Sequence, residues 1–173
     1  MATPTTLTVP AEETLLLGLL NTTPVIGGTV QDELGDLDAG RRWLAAHDAP
    51  ATKQEWQTLL KLRPVLQAVV REGRDAGSLA PFLEDVGYRP HATDEGIAWE
   101  LDAPEGRTAA ARAVIAWDAV RAASPGRLRA CANSECNLFL IDHSKPNTAK
   151  WCSMAVCGNR MKARRHYHRT SER

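Results

Sequence analysis

Four cysteines, Cys131, Cys136, Cys152 and Cys157, are confined to 27 of the chain's 173 residues, and none occurs in the first 130. The pattern is two pairs, each with four residues inside it, separated by a fifteen-residue excursion. Zinc has a filled d shell and accepts any tetrahedral donor arrangement, and four thiolates give it a closed, saturated site. Two close pairs form two knuckles that can converge on one ion, so the expected cofactor is a structural Zn2+ held by these four sulfurs. A catalytic zinc would need an open position. His143, His166 and His168 are the alternative ligands within reach in sequence, and two disulfides are the alternative chemistry.

Compartment bears on that choice. The residues ahead of the apolar Leu15–Leu20 run include Glu12-Glu13 and no basic cluster. The run itself is too short for a signal peptide or a membrane span. A cytoplasmic location with no membrane partner is therefore expected, and there clustered thiols stay reduced and bind metal.

Charge is divided along the same line as the cysteines. The whole chain carries 21 Lys+Arg and 21 Asp+Glu, with 43% hydrophobic and 24% charged residues, which excludes collagen-like, coiled-coil and wholly disordered classes. Residues 1–126 hold 11 basic and 18 acidic groups, net −7, and residues 127–173 hold 10 and 3, net +7. The boundary falls at Ser124-Pro125-Gly126. Such an asymmetry has two readings: a basic module that contacts nucleic acid, or a basic tail that docks on its own acidic body.

The first 126 residues read as an α+β domain, mainly helical. Leu15–Leu20 is buried as helix or strand. Gly27-Gly28 makes a turn. Asp36 or Asp38 caps a short helix through Trp43 and His47 that ends near Pro50. Thr52-Lys53-Gln54-Glu55 fits a capping box, opening a helix with Trp56, Leu59, Leu66 and Val70 on its apolar side. Pro64 predicts a kink or break. Ser78 opens a shorter helix, and Ile97, Trp99 and Leu101 alternate with polar neighbours as a half-buried strand, with 88–92 its hairpin partner. A long helix follows from about Glu105 to Ala122. In the last 47 residues the apolar supply is thin, as expected for a segment held by metal. There 138–141 reads as a strand returning through 149–151, and 159–169 as a helix. Knuckle, hairpin and then helix resemble a treble-clef finger.

Trp151-Cys152-Ser153-Met154-Ala155-Val156-Cys157-Gly158-Asn159-Arg160, followed by Lys162-Ala163-Arg164-Arg165, resembles the CGNR zinc finger, which takes its name from residues like 157–160. Cys131 with its preceding Leu128-Arg129-Ala130, and Cys136 with Asn137 to Asp142 after it, fit the same family. The resemblance implies an N-terminal ABATE domain, that is, a stress-induced transcription regulator with a ligand-binding domain. That family tends to show Asp-x-x-Asn-Thr near its N-terminus; this chain keeps Asn21 and Thr22 and has Gly18 in place of the acid.

Function follows from the basic module. Lys and Arg neutralise phosphates, and the candidate nucleic-acid-binding residues are Arg160, Lys162, Arg164, Arg165 and Arg169, supported by Arg129, Lys145 and Lys150. The expected partner is DNA, with a small-molecule effector or homodimerisation assigned to the N-terminal domain. The alternative is a zinc-organised protein or RNA adaptor. Adjacent acid pairs such as Asp32-Glu33 do not converge on one face. No phosphate loop, dinucleotide fingerprint or nucleophile elbow is present, so no enzymatic activity is expected. Trp43, Trp56, Trp99 and Trp117 read as core residues.

Overall fold

The structure is a computed structural model that describes residues 12–171; of Arg165, His166 and residues 168–171 it describes the helical backbone only. Leu15–Leu20 forms the body of α1 (Glu13–Leu20), with Leu15, Leu16, Leu19 and Leu20 buried. The run is helical, and its leucines are buried against helices that come later in the chain. After α1 a small hairpin, β1 (Val25–Ile26) and β2 (Thr29–Val30), turns through Gly27 and Gly28, both with positive φ. A two-residue turn of that hand is open to glycine without steric cost.

Local capping sets the next two helices. Asp36 accepts from the Ala39 amide and starts α2 (Leu37–Ala46). Thr52 accepts from the Glu55 amide and starts α3 (Lys53–Glu72), which Gly73 closes in the left-handed conformation. Pro64 lies inside α3 and does not end it. The capping box is only half made. The Glu55 carboxylate does not reach back to Thr52 but accepts from the Thr108 and Ala109 amides, 2.8 and 2.9 Å away. Glu55 is buried and satisfies the first amides of α4 (Thr108–Ala123), where the helix dipole favours a negative charge. One residue thus starts α3 through its backbone amide and α4 through its carboxylate.

Between α3 and α4 the predicted helix at Ser78 is a 3-10 helix, Ala76–Phe82. The predicted hairpin is present as β3 (Gly87–Thr93) and β4 (Gly96–Asp102), paired antiparallel with Tyr88 opposite Leu101 and Pro90 opposite Trp99. It is less buried than the alternation implied, since Ile97 and Trp99 are exposed.

The core joins α1, α2, α3 and α4 through residues such as Leu16, Leu44, Leu62, Ala110 and Val114. Helix α4 offers mostly alanines, a smooth surface that lets α1 and α3 approach closely. Gly40 plays the same part in α2: a Cβ there would lie 2.1 Å from the Trp56 ring. No helix among the described residues is long and apolar enough to cross a membrane.

The C-terminal segment adds β5 (Leu128–Ala130) and β6 (Phe139–Ile141), then a π-helical turn (Met154–Gly158) and α5 (Asn159–Ser171). The partner of β6 is β5, with Ala130 opposite Phe139, and not residues 149–151. The latter return as an extended segment whose Lys150 carbonyl accepts from the Ala132 amide. Together these features fit a mixed helical and small-sheet fold ending in a cysteine-clustered finger.

Candidate metal centre and its cationic flank

Two turns bring the sulfurs together. In the first, Cys131 donates its amide to the Leu138 carbonyl at 2.8 Å and the Cys136 amide donates to the Asn133 carbonyl at 2.9 Å. In the second, the Ser153 hydroxyl accepts from the Val156 amide and the Gly158 amide donates to the Ser153 carbonyl. Gly158 lies under Met154 and Trp151: a Cβ there would sit 2.8 Å from the Met154 sulfur and 3.3 Å from Trp151 Cδ1.

All four Sγ atoms lie within 4.8 Å of one another. The Cys136–Cys152 and Cys152–Cys157 separations are both 3.7 Å. A tetrahedral zinc with Zn–S bonds of about 2.3 Å requires S···S edges of about 3.8 Å, whereas a disulfide needs about 2.05 Å. The cysteines are free thiols, and their spacing fits one tetrathiolate ion.

The electrostatics point the same way. Burial, together with the neighbouring sulfurs, pushes the Cys152 thiol up strongly, and burial also raises Cys136. Burial works against the Cys157 thiolate too, but the Asn133 amide and the other thiols outweigh it and hold that group down. Four sulfurs packed this closely ionise together only if a cation compensates them. Amide donors already aim at three of them: Leu138 N to Cys136, Cys152 N to Cys131, and Asn133 Nδ2 to Cys157, at 3.4 to 3.5 Å. Of the alternative ligands, His143 faces Glu13 instead, with Nε2 3.0 Å from its carboxylate. The His166 and His168 side chains lie outside the described residues.

The candidate cations divide into three groups. Arg129 is built into the finger: it donates to Asp142 at 2.8 Å and to the Asn147 side chain. Buried Asp142 also accepts from the Ser144 and Ala149 amides. The Ser144 hydroxyl, those two amides and the Arg129 charge hold its carboxyl down to about 2. Arg160 and Arg164 share one face of α5 and converge on Glu135 of the first knuckle, Arg164 in direct contact and Arg160 at 4.0 Å. Arg164 above all holds the Glu135 carboxyl below its ordinary value. Lys145, Lys150 and Lys162 are exposed and have no carboxylate partner among the described residues. The side chains of Arg165 and Arg169 lie outside the described residues.

The finger is joined to the helical core by more than its linker. Phe139 of β6 is 1% exposed and belongs to the same apolar cluster as α1, α3 and α4. Asn21, at the end of α1, grips the Phe139 peptide from both sides, accepting from its amide at 2.7 Å and donating to its carbonyl at 3.3 Å. Arg71 of α3 lies over the Phe139 ring, 4.6 Å from the centroid, and donates to the Asn137 carbonyl. The neighbouring Thr22 is buried and accepts from Arg63, which forms a two-point pair with Asp32. In this chain the Asn-Thr pair thus connects parts of the fold. At Gly18 a Cβ would lie 2.8 Å from His47 Nε2, so the ring occupies the place where a larger residue would begin.

Sequence reasoning missed the roles of Asn133, Asp142 and Glu135, and knew Asn21 only as part of the Asn-Thr pair. The first two carried a local signal, as turn-forming residues between or after knuckle cysteines. Glu135 was visible as the one acid inside either close cysteine pair. Asn21 acts across 118 positions, and no local pattern announces that.

Four sulfurs at tetrahedral spacing, set in two knuckles and followed by a helix, define a zinc-binding finger. Residues 127–170 match the family model described as CGNR zinc finger. The match covers 44 of the 173 residues, all in the C-terminal segment. Among curated proteins none matches the chain.

Proposed function

We propose that the chain is a DNA-binding transcriptional regulator whose zinc finger contacts the duplex and whose N-terminal domain serves as a sensor or dimerisation unit. The observation that carries this reading is α5. From Asn159 to Ser171 it holds five Lys or Arg and no acid, and among the described residues its main packing is on the zinc turn. That placement favours the outward-facing reading of the basic tail over docking on its own domain. Zinc holds the scaffold; Lys145, Lys150, Lys162, Arg165 and Arg169 would meet phosphates, with Arg160 and Arg164 anchoring α5 to Glu135. No catalytic step belongs to this reading.

For the sensor role the supporting feature is a cavity of about 380 Å3 between the β3–β4 hairpin and α4, bounded by Tyr88, Trp99, Leu101 and Arg112. That is within the size range of small-molecule sites. The test is selection of bound sequences from random duplex DNA, repeated across salt concentrations. An enriched site with those five phosphate contacts would give a salt slope of about −4.5, at about −0.9 per contact. Absence of duplex binding at low salt would refute the reading and favour the protein or RNA adaptor.

A further inference from the structure

The finger has little apolar material, yet it leaves two large apolar side chains in water. Met154 is 54% exposed and Val156 is 55% exposed, with exposed Ala155 between them. They sit on the turn that carries Cys157, so their position is fixed by the metal site and by the Ser153 cap, not by a mobile loop. The turn runs directly into α5, whose first residues include exposed Arg160 and Lys162. An apolar tip therefore stands at the N-terminal end of a helix that carries only positive charge among its ionised groups.

We infer that Met154 and Val156 are base-contacting residues that receive thymine methyl groups in the major groove of duplex DNA. The inference rests on the DNA-binding reading above and deepens it. Five physical points favour it. Helices that dock in the major groove place their N-terminal residues against base edges and leave their flanks to the backbone. The thymine C5-methyl is the one apolar group on the base edges in that groove, and it is read by apolar contact. The Met154 thioether also lies back over Gly158, which makes the tip low and broad, suited to covering a methyl group and not to wedging between bases. The cations beside it complement the phosphates on either side of the groove. Met154 can adjust to the methyl's exact position, because its unbranched chain fills irregular spaces, while branched Val156 supplies a stiff neighbour.

The experiment uses the full-length zinc-loaded protein and the duplex recovered by selection. Met154→Ala with Val156→Ala should weaken binding to that duplex about tenfold while leaving the salt slope unchanged, since no phosphate contact is lost. Replacing thymine by uracil at the contacted position should weaken the unsubstituted protein about fourfold and the double variant not at all. Met154→Leu should keep most of the affinity. Zinc content and the thermal transition, measured on each variant, establish that the finger is intact. If the protein binds duplex but neither the double variant nor uracil changes the affinity, this inference fails and the regulator reading stands. If the unsubstituted protein binds no duplex, both fail. Binding to phosphatidylserine vesicles that the double variant loses, with DNA affinity unchanged, would also overturn the inference and make the tip a membrane contact.

Discussion

Replacing Phe139 with alanine tests whether the zinc finger is an appendage or part of the core. The ring is 1% exposed and packs among residues of the helical body. Emptying a buried Phe site costs about 3–5 kcal/mol, and the Arg71 guanidinium over the ring adds about 0.5–1 kcal/mol that the alanine cannot supply. A loss of about 4 kcal/mol in a chain of this size lowers Tm by roughly 10 °C. The readout is tryptophan fluorescence in a Trp151→Phe background, where Trp43, Trp56, Trp99 and Trp117 all report from residues 1–126. The N-terminal transition itself should shift, although the substitution lies in the finger. Chelation of zinc should move the same transition in the same direction, because Phe139 is held in place by a strand whose end is tied to Cys131 and Cys136. A transition unmoved by Phe139→Ala, to within about 0.5 kcal/mol, would refute the shared core and restore two independent modules.

Two further perturbations address single contacts. Asn21→Ala removes both hydrogen bonds to the Phe139 peptide and leaves a partly buried amide without its acceptor; a loss of about 1–3 kcal/mol is expected in the same melting assay, with zinc stoichiometry retained. Asp142→Asn should destabilise the finger by an amount that depends on pH in one direction only. The folded carboxyl titrates at about 2, below its unfolded value near 3.8, so its stabilisation is fully present above pH 5 and declines as pH falls through that window. The stability difference between the two proteins should therefore be flat from pH 7 to pH 5 and shrink only below about pH 4; a difference that grows as pH falls from 7 to 5 would mean a carboxyl whose folded pKa is raised, and would refute the assignment.

What could be read from the sequence was local. The cysteine pattern needed no tertiary knowledge, because ligand spacing and donor chemistry are both written along the chain. The start of α3 followed from Thr52, and that of α2 from one of the two candidates Asp36 and Asp38, since each cap acts within a few residues. The β3–β4 hairpin was evident from the alternation at Ile97, Trp99 and Leu101, although the strands run one residue further towards the turn than the sequence suggested, with Thr93 opposite Gly96. Failures came where one side chain acts at a distance. Glu55 looked like the second half of a capping box and serves a helix 53 residues away. Residues 138–141 looked like the first strand of a hairpin that returns through 149–151, but hydrogen-bond to β5, which precedes the first cysteine. The basic residues were counted as one set, although Glu135 faces two of them and Asp142 a third. Charge composition records how many cations exist, and only geometry records which are already paired.

The place of Phe139 also bears on how the chain is made. A nascent chain that has released residues 1–126 has α1, α3 and α4 but no ring to complete the cluster they form, and the Asn21 side chain has no peptide to grip. Closure waits for synthesis of β6 and for the knuckles that hold its end. The sulfurs at the end of β6 are the ones a zinc ion would join, so an unmetallated chain should leave this side of the helical core less firmly closed, which limited proteolysis with and without chelator would read.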